Sequence, residues 1–156
     1  MSDMSVHYSS ARVDWSTPWW LIQRCEKEWG TFALDVCATA ANFKAPNYFT
    51  PDQNGLIQAW RGLCWMNPPY GRDIGQWVCK AKHESYLGAN VIALLPARTD
   101  TSWWHQYVAH ATEILFLRGR IRFEGASASA PFPSAVVWFG PTDAARTRYV
   151  DWRTAR

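Results

Sequence analysis

The stretch NVIALL, residues 90 to 95, constrains the fold of this chain more than any other, because it is apolar throughout and short. Such a run reads as a strand buried on both faces, the pattern of a parallel sheet covered by helices on each side. Helical patterns flank it. Ile74, Trp77, Val78 and Ala81 line one face of a predicted helix from about Asp73 to Tyr86, and a further helix is predicted over about 101–111. Near the start, Thr17 reads as a helix cap and Pro18 as the first helical position, followed by a stripe of Leu21, Ile22, Cys25 and Trp29 that Gly30 closes. Further strands are predicted at 31–38 (TFALDVCA), 62–66 (GLCWM), 111–119 (ATEILFLRG), 119–123 (GRIRF) and 134–139 (SAVVWF). The tail from Thr142 reads as a last helix with Ala145, Tyr149 and Trp152 facing inward. Helices alternating with apolar strands predict an α/β fold, a sheet with helices on both faces.

Ligands of such sheets bind beyond the carboxyl ends of the strands. Asp35, Asn67 to Tyr70 and Pro96 to Asp100 each follow a predicted strand, so the topology brings them to one rim. The segment from 39 to 60 is rich in Asn, Pro and Thr and reads as a long functional loop with a turn of helix at 54–60; 125–134 reads as a flexible loop between strands. A chain of 156 residues suits one domain, here 15–156, after a flexible polar leader at 1–14.

Several function classes are disfavoured. No apolar run approaches the roughly 18 residues of a membrane span, and the leader has no hydrophobic segment of a secretory signal. Cys25, Cys37, Cys64 and Cys79 form no CxxC pair, so a metal site is not expected and the chain reads as cytoplasmic. His7, His83, His105 and His110 read as surface or packing residues, with His105 the one to test for its place beside Trp103 and Trp104. The net charge of +3 permits nucleic-acid binding without announcing it. Most of the eleven tryptophans are expected in the core, with a minority available to stack on a base or ligand ring.

The sharpest chemical signal is the string NPPY, Asn67 to Tyr70, after the GLCWM strand. Proline lacks an N–H and has a fixed φ, so Pro68 and Pro69 give stiff backbone with carbonyls and no competing donors. The Asn67 side-chain oxygen and the Pro68 carbonyl then form two acceptors for one NH₂ group, with Tyr70 stacking on the ring that carries it. A delocalised amine is a poor nucleophile, and two acceptors on its hydrogens disperse the positive charge that develops during attack. The plainer reading is a capped, stiffened loop in which the tyrosine packs. NPPY by itself does not choose between amines in DNA, RNA or protein.

Beyond that string, the segments WSTPWWL (15–21), FALDVCAT (32–39), NYFTPDQNGLIQAW (47–60), WMNPPYGR (65–72), ALLPARTDTSWWH (93–105), FLRGRIRF (116–123) and APFPSAVVWF (130–139) run in order along most of the chain. Together they resemble the small phage-type DNA N6-adenine methyltransferases, which use S-adenosylmethionine. The resemblance implies a compact class I (Rossmann-like) methyltransferase sheet, DNA as the partner, and no metal. It implies that Asn67 and Pro68 hold the adenine amine, that Pro69 shapes the turn and that Tyr70 stacks on the base. Thr17 and Pro18 would lie against the methionine part of the donor, with Asp35 its acidic contact and Ala38, Asp52 and Asn54 further donor contacts. The usual Gly-rich loop after the first strand is missing, since LDVCATAAN has no glycine.

For nucleic acid, Arg118, Arg120 and Arg122 alternate with Gly119, Ile121 and Phe123, which in an extended strand places three guanidinium groups on one face. Phosphate contact and a solvated sheet face are both open readings. Arg98, Thr99, Asp100 and Trp103 share the loop at the predicted rim, and Lys44 and Arg72 are weaker candidates. The competing functions are methylation of RNA adenine or of a protein glutamine amide, and a non-catalytic nucleic-acid-binding module of the same fold.

Overall fold

A computed structural model describes residues 15–153. The leader at 1–14, with His7, and the last residues, 154–156, lie outside them. The elements run α1 (Trp19–Trp29), β1 (Leu34–Asp35), β2 (Asn47–Tyr48), β3 (Leu63–Met66), α2 (Ile74–Tyr86), β4 (Asn90–Pro96), α3 (Ser102–Gln106), β5 (Glu113–Leu117), β6 (Ser134–Phe139) and β7 (Arg146–Val150), with single 3-10 turns at Gly55–Ile57 and Val108–His110. The strands form one seven-stranded sheet in the order β2-β1-β3-β4-β6-β5-β7. β1 to β4 are parallel neighbours; β6 runs antiparallel between β4 and β5, and β7 pairs parallel with β5.

The apolar run that predicted a doubly covered strand is β4, at the centre of the sheet. Its side chains alternate between two cores, as a period of two requires. Val91, Ala93 and Leu95 meet Ile74, Trp77, Val78 and Ala81 of α2 and Trp103 and Trp104 of α3. Ile92 and Leu94 face the other way, toward Leu21, Ile22 and Cys25 of α1. Helices therefore cover both faces. Each Leu or Ile fully withdrawn from water contributes about 1.5–3 kcal/mol, so β4 is the energetic axis of the fold.

Four local expectations are corrected. The tail is a strand rather than a helix: RTRYV alternates and is β-branched and aromatic, and it extends the sheet as an edge with Arg146 and Arg148 paired to Glu113. Tyr149, expected inward, is 84% exposed and stacks on Phe116. GRIRF makes no ladder, because Gly119 turns the chain at φ +76°. The alternation survives without it: Ile121 and Phe123 are buried while Arg118, Arg120 and Arg122 face solvent, held by a bond from the Ala130 N–H to the Ile121 carbonyl (2.7 Å). The helix expected over 101–111 is the short α3 followed by a 3-10 turn. Thr17 caps nothing, since Pro18 is the N-cap and makes no side-chain cap bond; the threonine hydroxyl is used elsewhere.

The long loop from 39 to 62 is more ordered than its composition suggests. It holds β2, paired with β1 in the register Asp35↔Tyr48, and the 3-10 turn that Asn54 caps by accepting from the Leu56 N–H (3.2 Å). Gly55 lets that turn lie directly on the segment after β1. A Cβ there would stand 2.1 Å from the Val36 carbonyl oxygen and 3.2 Å from the Trp77 ring. Gly55→Ala is therefore expected to cost about 3 kcal/mol or more, the range of severe steric lesions, read as a lower denaturation midpoint at an unchanged m-value.

Candidate active site

Parallel register gathers the predicted residues. Asp35 of β1 stands beside Trp65 of β3, and Met66 of β3 beside Ala93 of β4. Asp35, the NPPY loop and the 97–101 loop therefore leave the sheet at the same carboxyl edge.

Asn67 is the hinge of the site. Its side-chain NH₂ donates to the Trp15 carbonyl (2.5 Å) and to the Thr17 hydroxyl (3.0 Å). The Trp15 carbonyl can only accept, which fixes the NH₂ end of the amide on that side. The opposite end, Asn67 Oδ1, is then turned away, buried and, among the described residues, without a hydrogen-bond partner. A buried acceptor left unpaired costs about 1–3 kcal/mol, so a donor that reaches this atom gains a hydrogen bond the fold does not supply. Pro68, buried next to it, has a carbonyl and no N–H.

Tyr70 is held just as firmly. Its hydroxyl donates to the Leu94 carbonyl (2.9 Å), and its ring meets Phe132 and Phe123 edge-on at 5.6 and 6.3 Å. Burial pushes the phenol well above its ordinary pKa, which keeps the proton that this bond requires. Trp15 closes the cluster against Phe123 (5.0 Å) and Phe132 (6.0 Å).

Asp35 is 2% exposed and does two jobs. Its oxygens accept from the backbone N–H groups of Cys37 (3.3 Å) and Lys44 (3.0 Å), folding the loop after β1 back onto the strand. Within that loop Asn42 accepts from the Thr39 N–H (2.7 Å). Side-chain acceptors thus shape a turn that lacks glycine, by the local bonding of Asx turns. Burial raises the Asp35 pKa to about 7, against the lowering pull of those two hydrogen bonds and of the Lys44 charge.

Lys44, a sequence candidate for nucleic acid, is instead buried. Its ammonium pairs with Glu124 (3.1 Å) and lies 4.2 Å over the Trp19 ring. Glu124 also accepts from the Ser16 hydroxyl (2.9 Å), tying the chain before α1 to the loop after β5. A small cavity of about 40 Å³ is lined by Trp15, Thr17, Asp35, Lys44 and Asn67. It adjoins a cleft of about 230 Å³ between Ala38, Thr39, Phe49, Pro51 and Trp77; Cys37, Asn42 and Pro69 border both. Together they approach the ~300 Å³ at the lower end of small-molecule sites.

The remaining candidates divide. Thr17, Asp35, Ala38, Asn67 and Pro69 line these cavities. Asp52 and Asn54 are exposed and outside both linings, Asn54 being spent on its turn. Trp103 is buried in the core behind α2, which puts it out of reach of a nucleic acid. Arg98, Thr99 and Asp100 are exposed; Arg98 lies 5.9 Å over the Phe132 ring, and the Thr99 carbonyl is 2.8 Å from the His105 ring. Arg118 pairs with Asp151 (3.1 Å), and Arg122 donates to the Ala126 carbonyl (3.0 Å). Sequence reading missed Trp15, Asn42 and Glu124 as parts of the site. Only Asn42 carried a local signal, an amide in a turn that has no glycine.

The sequence profile described as DNA N-6-adenine-methyltransferase (Dam) matches residues 5–138. A "DNA N-6-adenine-methyltransferase" of Haemophilus phage HP1 is 39% identical over 113 residues, which is 70% of this chain and 65% of the relative. One of the same description from Escherichia phage T1 is 32% identical over 106 residues, 66% of this chain and 44% of the relative. The chain thus spans from under half to just under two thirds of the curated relatives it matches.

Proposed function

This chain belongs to the DNA N-6-adenine-methyltransferase (Dam) family, and we propose that it transfers a methyl group from S-adenosylmethionine to the exocyclic N6 amine of an adenine flipped out of DNA. The observation that carries this reading is the buried Asn67 Oδ1, unpartnered among the described residues, on a side chain that lines the small cavity together with Asp35. An acceptor in want of a donor suits an NH₂ group. The antiparallel β6 between β4 and β5 supports a class I (Rossmann-like) methyltransferase sheet.

The residues present fit the donor. Among the described residues Asp35 supplies the one carboxylate of the small cavity and Thr17 a buried hydroxyl, and the adjoining cleft is apolar enough for a ring. Trp15, Thr17, Asp35 and Asn67 would hold its amino-acid end; Ala38, Thr39, Phe49 and Pro51 would wall its adenosine. When bound, S-adenosylmethionine supplies an electrophilic methyl group on a sulfonium centre.

The work of the chain lies on the adenine side. The base has to leave the duplex at a cost of a few kcal/mol, offset by contacts in the pocket. Asn67 Oδ1 and the Pro68 carbonyl accept the two N6 hydrogens and so favour the tetrahedral nitrogen that attacks. Both are fixed beforehand, Asn67 through Trp15 and Thr17 and Pro68 through its ring, so little reorganisation remains. Tyr70, anchored on Leu94, presents an aromatic ring beside them for the base. Arg98 and Arg120 are exposed, which supports a use of both on the phosphates. A cytoplasmic setting accords with four free thiols.

The test is direct. The protein is incubated with unmethylated DNA and S-adenosylmethionine, and the DNA is digested to nucleosides for mass spectrometry; N6-methyladenosine of the deoxy series is the expected product. RNA and glutamine-containing peptide run in parallel. Methylation of either in preference to DNA, or donor binding without any transfer, would replace this reading.

A further inference from the structure

On the α1 side of the sheet lies an open groove of about 690 Å³ that takes no part in the site described. Its walls carry Arg24 and Lys27 from α1, Arg122 from the loop after β5 and Arg153 from beyond β7, with Trp20 and Trp152 between them. Among the described residues no carboxylate lines it, and none of the four cations is ion-paired. A chain of net charge +3 thus gathers four unpaired positive charges in one trough. Like charges held together without counter-charges are unfavourable unless an anion binds them.

The groove is also placed where a long substrate would cross it. α1 begins beside Asn67, since Thr17 bonds to that side chain, so Trp20 stands near the carboxyl rim of the sheet. β5 and β7 run parallel and end side by side at Leu117 and Val150, and Trp152 and Arg153 follow directly. On the inner wall Arg122 adjoins Phe123, whose ring backs Trp15 and Tyr70. The arginine and the base pocket are thus built on one short segment. Arg153 rests 5.8 Å over the Trp20 ring, which positions a guanidinium without neutralising it.

We propose that this groove binds the phosphate backbone of the DNA duplex flanking the target adenine, with Arg24, Lys27, Arg122 and Arg153 as its phosphate contacts. The proposal rests on the reading of DNA as substrate. Duplex DNA carries one negative charge per about 1.7 Å of its axis, so a trough of four cations meets several phosphates at once. Contacts of this kind fix the position of the duplex and carry no sequence information.

The experiment is the salt dependence of DNA affinity. In Arg24→Ala/Lys27→Ala the slope of log K against log salt becomes shallower by about 1.8, since each lost phosphate contact removes about 0.9. The KM for DNA rises, while affinity for S-adenosylmethionine, which reports on the fold, stays as in wild type. Arg153→Gln, beyond β7, lowers the slope by about 0.9 in the same assay. Arg61→Ala, ahead of β3 at the other end of the sheet, is the control for loss of charge alone and leaves the slope as it was. Slopes in the groove variants equal to that of the control would overturn the proposal. So would loss of donor binding in both groove variants, because the cations would then be holding the fold. A wild type that methylates DNA while the groove variants keep its slope sinks the groove alone; a wild type with no salt-dependent affinity for DNA sinks the functional reading beneath it.

Discussion

Replacing Asn67 by alanine is expected to lower kcat for the proposed methyl transfer by about 10²–10³-fold, the loss typical of a single preorganised polar group at a reacting centre. The change removes Oδ1, the buried acceptor that has no partner among the described residues. It also removes the NH₂ that ties down the Trp15 carbonyl and the Thr17 hydroxyl, so donor affinity falls as well, though by less. Thr17→Val separates the two effects. It deletes one acceptor of the NH₂ and leaves Oδ1 in place, so donor affinity drops with only a small change in kcat. Single-turnover rates at saturating donor and DNA, beside donor titrations by tryptophan fluorescence, make the comparison. An Asn67→Ala enzyme within tenfold of wild type in kcat would reduce Asn67 to a loop fastener.

Asp35 produces the second large effect, through pH. Its carboxyl is held near pKa 7, above the ordinary value of 3.8, because burial disfavours the charge more than its hydrogen bonds and Lys44 favour it. Between those values the unfolded chain ionises while the folded one keeps the proton. The stability from this source is therefore fully present below about pH 4 and is lost as pH rises through about 7, at ~1.4 kcal/mol per unit. Asp35→Asn removes that slope, leaving stability flatter across the window in denaturant titrations. Donor binding runs the other way. Pairing with the positively charged donor needs the carboxylate, so affinity rises with pH through about 7 and then levels, and it is weak and flat in Asp35→Asn. Lys44→Met removes an opposite charge, so the midpoint moves upward. Wild-type donor affinity independent of pH across this range would mean that Asp35 serves the loop alone.

These effects show how far local sequence reaches. The apolar run of β4, the stripe of α2 and SAVVWF as β6 were legible because their patterns depend on each element's own period and burial. β2 was not: two residues between prolines and polar turns carry no period, and only pairing with β1 makes them a strand. The tail misread as a helix shows the same limit. Ala145, Tyr149 and Trp152 fit a helical spacing, but β5 offered a free edge, and a ladder outweighs a weak local preference.

The site divides along the same line. The chemical kind of the NPPY loop was set by the sequence itself, since missing N–H groups, a fixed φ and an amide are properties of residues 67 to 70 wherever the chain puts them. Placing Asp35 and Asn67 on one rim needed only the rule that parallel strands share a carboxyl edge. Which end of that amide is engaged within the fold was decided by the tertiary structure. Its NH₂ is claimed by residues about 50 positions away, which leaves the oxygen without a partner among the described residues. Lys44 changed from a surface cation to a buried one because Glu124, 80 residues on, meets it there. Hydrogen bonds and ion pairs act over a few ångströms, and only the folded sheet brings such distant partners within that range.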